Sequence, residues 1–129
     1  MRDLVFAMEL RGRATPVVGQ EATLRVQTSG RGPMGETVTF ASEVRLQGNT
    51  FKETGSIDYL GRGKVQFETV GVGYIEPSPL PGLQWGAAIW RIIQGEGEFQ
   101  DATGFITSNF TASADGEAVD GHFVRMVLP

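Results

Sequence analysis

The chain is 129 residues long, with 18 glycines, six prolines and no cysteine; 40% of it is apolar, 9% aromatic and 20% charged. This length suits one domain, 1–129, that buries roughly two thirds of the surface its unfolded chain exposes. The lack of cysteine excludes disulfide scaffolds, thiolate metal sites and cysteine nucleophiles. Eleven basic against fifteen acidic residues give a formal charge of −4, and no basic cluster supplies phosphate contacts, so a nucleic-acid partner is not expected. The opening MRDLVFAMELRGR is interrupted by Asp3 and Glu9 before any signal-like stretch, and no run approaches about 18 apolar residues. A soluble, cytoplasmic protein without a membrane partner is the expectation.

Along the chain apolar and polar residues alternate with a period of two, and no helical window emerges. Strands are predicted over Leu4 to Arg11, Ala22 to Ser29, Thr37 to Gln47, Thr50 to Leu60, Lys64 to Ile75, Leu83 to Ile93, Phe105 to Ala114 and Ala118 to Leu128. Turn chemistry separates them: Gly30 to Gly35 with Pro33, Gly48-Asn49, Gly61-Arg62-Gly63, Pro77 to Gly82, Gly95 to Gly104 and Asp115-Gly116. Strands with no helices to cover them must protect their edges, and closing into a barrel removes the edges altogether. A two-sheet sandwich is the alternative. Tight sequential turns favour hairpins between neighbours, and so an all-β, eight-stranded, antiparallel closed barrel of up-and-down topology.

Two strands are apolar on both sides. In the first, Leu4, Phe6, Met8 and Leu10 form one row and Val5, Ala7, Glu9 and Arg11 the other. In the sixth, Leu83, Trp85, Ala87, Ile89 and Ile93 oppose Ala88, Trp90 and Ile92. The mixed row with Glu9 suits a lumen. The wholly apolar row of the first strand then meets a neighbouring subunit, giving a homo-oligomer, dimer or trimer.

The stretch Gly95-Glu96-Gly97-Glu98-Phe99-Gln100-Asp101-Ala102-Thr103-Gly104, followed by a strand, resembles the glycine-rich turn of the allene oxide cyclase and dirigent barrels. There a G-x-G-x-F-x-x-x-x-G segment leads into a late strand. Phe6 to Pro16, FAMELRGRATP, is similar to the first strand of allene oxide cyclases, with Arg13 and, three residues on, Pro16. The resemblance implies an oligomeric eight-stranded barrel without a cofactor, whose lumen holds a hydrophobic ligand and steers a cyclisation by shape and a few polar groups. In those cyclases a Glu and, two residues on, an Asn project into the lumen from the first strand. The corresponding positions here are Ala7 and Glu9, which leaves Glu9 for an analogous part. Spirotetronate cyclases are similar barrels, so the architecture serves more than one ring closure.

His122, the only histidine, shares a row with Val124, Met126 and Leu128. It is a candidate catalytic base because it titrates near neutrality; the alternative is a hydrogen-bonded core histidine. Glu9, if inward, would be raised in pKa by burial and suited to proton transfer; the alternative is an ion pair at the rim. Tyr74, Trp85 and Trp90 flank the loop EPSPLPG, and with Asn109 they are candidates for the wall and mouth of an apolar pocket. Glu43, Glu53 and Glu68 alternate with Arg45, Lys52 and Gln66, the pattern of ion pairs on a wet face. One histidine and no cysteine make a metal site unexpected. Gly71-Val72-Gly73 lacks the third glycine and the helix of a dinucleotide fingerprint.

Three functions compete on these residues. The first is a cofactor-independent isomerase or cyclase acting on a hydrophobic, oxygenated small molecule in the lumen. The second is a lipocalin-like binding protein that holds such a molecule unchanged, and the third is a scaffold whose lumen is packed solid. A buried acid or base of shifted pKa separates the first from the second, and an open cavity separates the second from the third.

Overall fold

The two-residue alternation folds into nine strands and no helix in a computed structural model of residues 1–129. They are β1 (Arg2–Pro16), β2 (Thr23–Arg31), β3 (Thr37–Gln47), β4 (Thr50–Tyr59), β5 (Gly63–Thr69), β6 (Gly73–Pro77), β7 (Leu83–Gly97), β8 (Thr103–Ser113) and β9 (Glu117–Leu128). Every pairing is antiparallel, and the ring runs β1–β2–β3–β4–β5–β7–β8–β9 and back to β1. The expected eight-stranded up-and-down barrel is therefore present, with β6 as one extra strand.

The extra strand arises because the segment expected to run from Lys64 to Ile75 divides. Thr69 lies opposite Trp90 and Tyr74 opposite Ala87, so the chain advances five residues on one side for three on the other. Val70, Gly71 and Val72 bulge out between, with Gly71 at φ 68°. Thr69 fills the resulting gap in the ladder with its side chain. Its Oγ1 accepts the Glu53 backbone N–H at 2.6 Å, and its hydroxyl donates to the Glu53 carbonyl at 2.8 Å.

The barrel interior is layered. Its lower part is solid hydrocarbon: Leu10, Val38, Ile57, Tyr59, Val65, Ile106, Val124 and Met126 are fully buried around the stacked rings of Phe40, Phe67 and Trp90. The segment resembling the glycine-rich turn closes this end. Gly97 (φ 64°) and Asp101 (φ 62°) fold it back so that Phe99 enters the core edge-on to Tyr59 at 5.0 Å. Arg62 lies over the Phe99 ring and bridges Glu36 at 2.7 Å and Glu98 at 2.9 Å. Burial alone would raise the Glu36 carboxyl, but the Arg62 guanidinium and backbone donors outweigh it and hold the pKa below its ordinary value.

The two rows of β1 face opposite to the expected directions. Met8 and Leu10 are buried and Leu4 and Phe6 pack against the core, whereas Val5, Ala7, Glu9 and Arg11 lie outside. The physical reason is area. At about 25 cal/mol per Å² of apolar surface removed from water, the four large side chains gain more from the lumen than a row containing Ala, Glu and Arg. The apolar row is therefore not an interface to a second copy. The exposed apolar residues on the outer wall instead include Val5, Ile89, Ile93, Phe105 and Phe123.

Candidate functional site

Above the solid half, the inward rows of five strands turn polar at one level. Thr28 (β2), Ser42 (β3), Glu53 (β4), Ser108 (β8), and Asp120 and His122 (β9) are all buried. Above them the wall becomes apolar again, with Leu24, Val26, Val44, Leu46, Phe51, Ile75, Phe110, Ala112 and Ala118. Between wall and belt lies a cavity of about 70 Å³, floored by Thr28, Glu53, Ser108 and Asp120. It shares Ala14, Leu24, Leu46, Ile75 and Ala112 with a wider vestibule of about 560 Å³ at the barrel mouth, over which Pro77, Leu80, Pro81 and Leu83 lie. The deep cavity has room for only a few atoms, so a larger molecule would keep most of its bulk in the vestibule.

Two carboxyls on this floor sit in different surroundings. Asp120 accepts two hydrogen bonds: the Ser108 hydroxyl donates to Oδ1 at 2.7 Å, and His122 Nε2 lies 2.9 Å from Oδ2. His122 is 2% exposed, its ring edge-on to Phe40 and Trp90, and its Nδ1 has no partner. It braces Asp120 from below, in the layer beneath the cavity.

Glu53 has less support. Ser42 donates to Oε2 at 2.6 Å, and the Trp90 indole N–H lies near the carboxyl without closing a hydrogen bond. Burial pushes the Glu53 pKa up to about 8; the charge on Asp120 adds to this, and the Ser42 and Trp90 donors only partly offset it. Glu53 is thus a protonated acid at neutral pH, and its Oε1 takes no protein hydrogen bond although the residue lines the cavity.

The residues expected from sequence divide between inside and outside. His122 and Trp90 are buried in the lumen, His122 in the belt and Trp90 in the ring stack beneath it. Glu9 is on the outer wall, where Arg11 holds it at 2.7 Å, and its expected lumenal position is corrected. Tyr74 and Trp85 are 61% and 44% exposed, and Asn109 is exposed as well. These three meet on the outer wall across the β6–β7–β8 register, around Ala87 and Thr111 in a shallow depression, where the Trp85 indole N–H donates to Glu76 at 3.2 Å. Their expected place in the pocket wall is corrected too, because on each strand the neighbouring side chains of opposite parity fill the lumen. Glu53, assigned by sequence to a wet face, is 6% exposed and inside. Ser42 and Ser108 had no sequence assignment.

No family model matches this chain, and neither the curated proteins nor the solved structures contain a match to it.

Proposed function

We propose that the protein is a cofactor-independent isomerase or cyclase acting on a hydrophobic, oxygenated small molecule held in the barrel lumen. The observation that carries this reading is the pair of carboxyls on one cavity floor, one protonated through burial and one held by two hydrogen-bond donors. Two carboxyls whose surroundings differ in this way divide acid and base roles between them. A ligand carbonyl oxygen accepts a hydrogen bond from the Glu53 carboxyl, while Asp120 removes a proton from the adjacent carbon and the electron pair moves into the carbonyl as an enol. Returning that proton elsewhere shifts a double bond, and the apolar walls around Phe51 and Phe110 restrict which ring closure can follow. The resemblance to allene oxide cyclases supports the same reaction class, with Glu53 and Asp120 in place of the first-strand carboxylate. A homo-oligomer belongs to the reading as well, through the outward Val5, Ile89, Ile93, Phe105 and Phe123; a monomeric mass in light scattering overturns that part.

The chemistry is testable without the natural substrate. In heavy water, 2-octanone should exchange its α-hydrogens for deuterium faster with the protein than in buffer, because Asp120 removes a proton while Glu53 protonates the carbonyl. Asp120→Asn should remove the acceleration, worth about 100-fold or more for a positioned base. Exchange at the buffer rate, with the ketone bound as judged by a raised melting temperature, would leave the binding-protein reading in its place.

A further inference from the structure

We propose that the lumen takes a hydrophobic cation: a molecule whose protonated amine lies between Asp120 and Glu53 and whose hydrocarbon fills the apolar upper cavity and vestibule. The proposal rests on the reading of the lumen as a ligand site and narrows it to members that carry a basic nitrogen.

Fourteen residues line the deep cavity; two bear carboxyls and none is Lys, Arg or His. The groups around Glu53 are Ser42 from β3, Thr69 from β5 on its backbone, Trp90 from β7 and Asp120 from β9, and none of them is a cation. His122 spends its Nε2 on Asp120 and is sealed under the floor by Phe40 and Trp90. Arg62, at the closed end of the barrel, is already shared by Glu36 and Glu98. The cavity lining therefore holds no cation of its own: Asp120 pairs with His122 from beneath at 2.9 Å, and Glu53 has no protein cation beside it.

A buried carboxyl without a cation is unfavourable, and an apolar residue of similar volume in its place is often neutral or stabilising. Glu53 is such a group at the base of an otherwise apolar cavity, and a positive ligand completes it. The second observation is the open valence of Glu53: a 6% exposed residue whose Oε1 lacks a protein partner and which lines the cavity. Directly above the floor, Phe51 and Phe110 both line the cavity, with ring centroids 5.8 Å apart. Aromatic rings near a desolvated ammonium add cation–π attraction. An anionic head group meets two carboxyls and no donor cation, so it is disfavoured. A neutral alcohol or ketone meets Glu53 only as a hydrogen-bond partner and gains no charge pair.

Binding has a proton signature. When an ammonium arrives, the Glu53 carboxyl releases its proton to solvent and the ion pair forms in its place, so charge balances with one proton released per ligand bound. Below the Glu53 midpoint of about 8 the release is measurable.

The test compares three probes of one chain length, octylamine, 1-octanol and octanoate, by isothermal titration calorimetry in two buffers of different ionisation enthalpy. Octylamine should bind about tenfold or more tighter than octanol, as expected for a desolvated charge pair, with octanoate weakest. The buffer dependence should report a released proton for the amine and none for the alcohol. Glu53→Gln should bring the amine to the alcohol's affinity while octanol binding, which checks the fold of the variant, stays within about threefold. The same variant should abolish proton release. Equal affinity of amine and alcohol, or an amine preference that survives Glu53→Gln, overturns the proposal and leaves the lumen site standing. Failure of all three probes to bind overturns the lumen reading as well.

Discussion

Replacing Glu53 by Gln removes the titration but keeps a polar group that can still accept the Ser42 hydroxyl. In the folded protein Glu53 keeps its proton up to about pH 8, whereas an unfolded glutamate releases it near 4.5. Because the folded pKa is the higher one, the unfolded chain releases the proton first, and stability falls as pH rises through this window. At 1.36 kcal/mol per pKa unit the loss is on the order of 5 kcal/mol in total, with about 3 kcal/mol of it incurred by pH 7. Above the folded midpoint the loss is complete. Four other carboxylates, Asp3, Glu36, Glu98 and Asp115, have pKa values lowered by their partners and act in the opposite sense, but they are common to both proteins. The difference between wild type and Glu53→Gln therefore isolates Glu53. Urea unfolding followed by tryptophan fluorescence, at pH values of about 5, 7 and 9, should show the variant gaining on the wild type by several kcal/mol as pH rises. Parallel stability curves for the two proteins across that range would refute a buried, protonated Glu53.

Glu9→Gln should change the melting free energy by less than about 1 kcal/mol and leave ketone exchange intact, because the residue is half exposed beside Arg11 on the outer wall. Phe99→Ala should cost about 3–5 kcal/mol in urea unfolding by emptying the closed end of the barrel. Arg62→Met should destabilise by a similar amount, about 3–5 kcal/mol, since it strands Glu36 in a nearly closed setting. The same variant should lose part of the wild type's acid sensitivity, because the stability from the lowered Glu36 and Glu98 is present above the ordinary carboxylate range and lost as pH falls through their folded values.

The strand pattern was legible because each strand alternates strictly enough to require a covered face, and the missing helices left barrel closure as the remedy for exposed edges. The division of the fifth strand was not legible, since Val70 and Val72 carry the β-branched signal of a strand while Gly71 adopts a left-handed turn. The site was half legible. In β4 the row Phe51, Glu53, Gly55, Ile57, Tyr59 opposes the fully polar row Lys52, Thr54, Ser56, Asp58. Parity along that strand puts Glu53 inside; pairing it by charge with Lys52 put it outside. In β9 the same parity places Asp120 beside His122 on the inward row. In β1 the wholly apolar row enters the lumen and the mixed row faces out, so treating the mixed row as lumenal placed Glu9 within. In β7 both rows are rich in apolar residues, with Ala88, Trp90 and Ile92 inside and Trp85, Ile89 and Ile93 outside, and parity alone did not tell them apart.

The most direct measurement of the central claim is a crystal structure of the protein soaked with 2-octanone. The account predicts the carbonyl oxygen within hydrogen-bond distance of Glu53 Oε1, the adjacent carbon facing Asp120, and the chain running past Phe51 and Phe110 into the vestibule. A ketone bound only in the outer depression beside Tyr74 and Trp85, with the lumen free of it, would contradict the account.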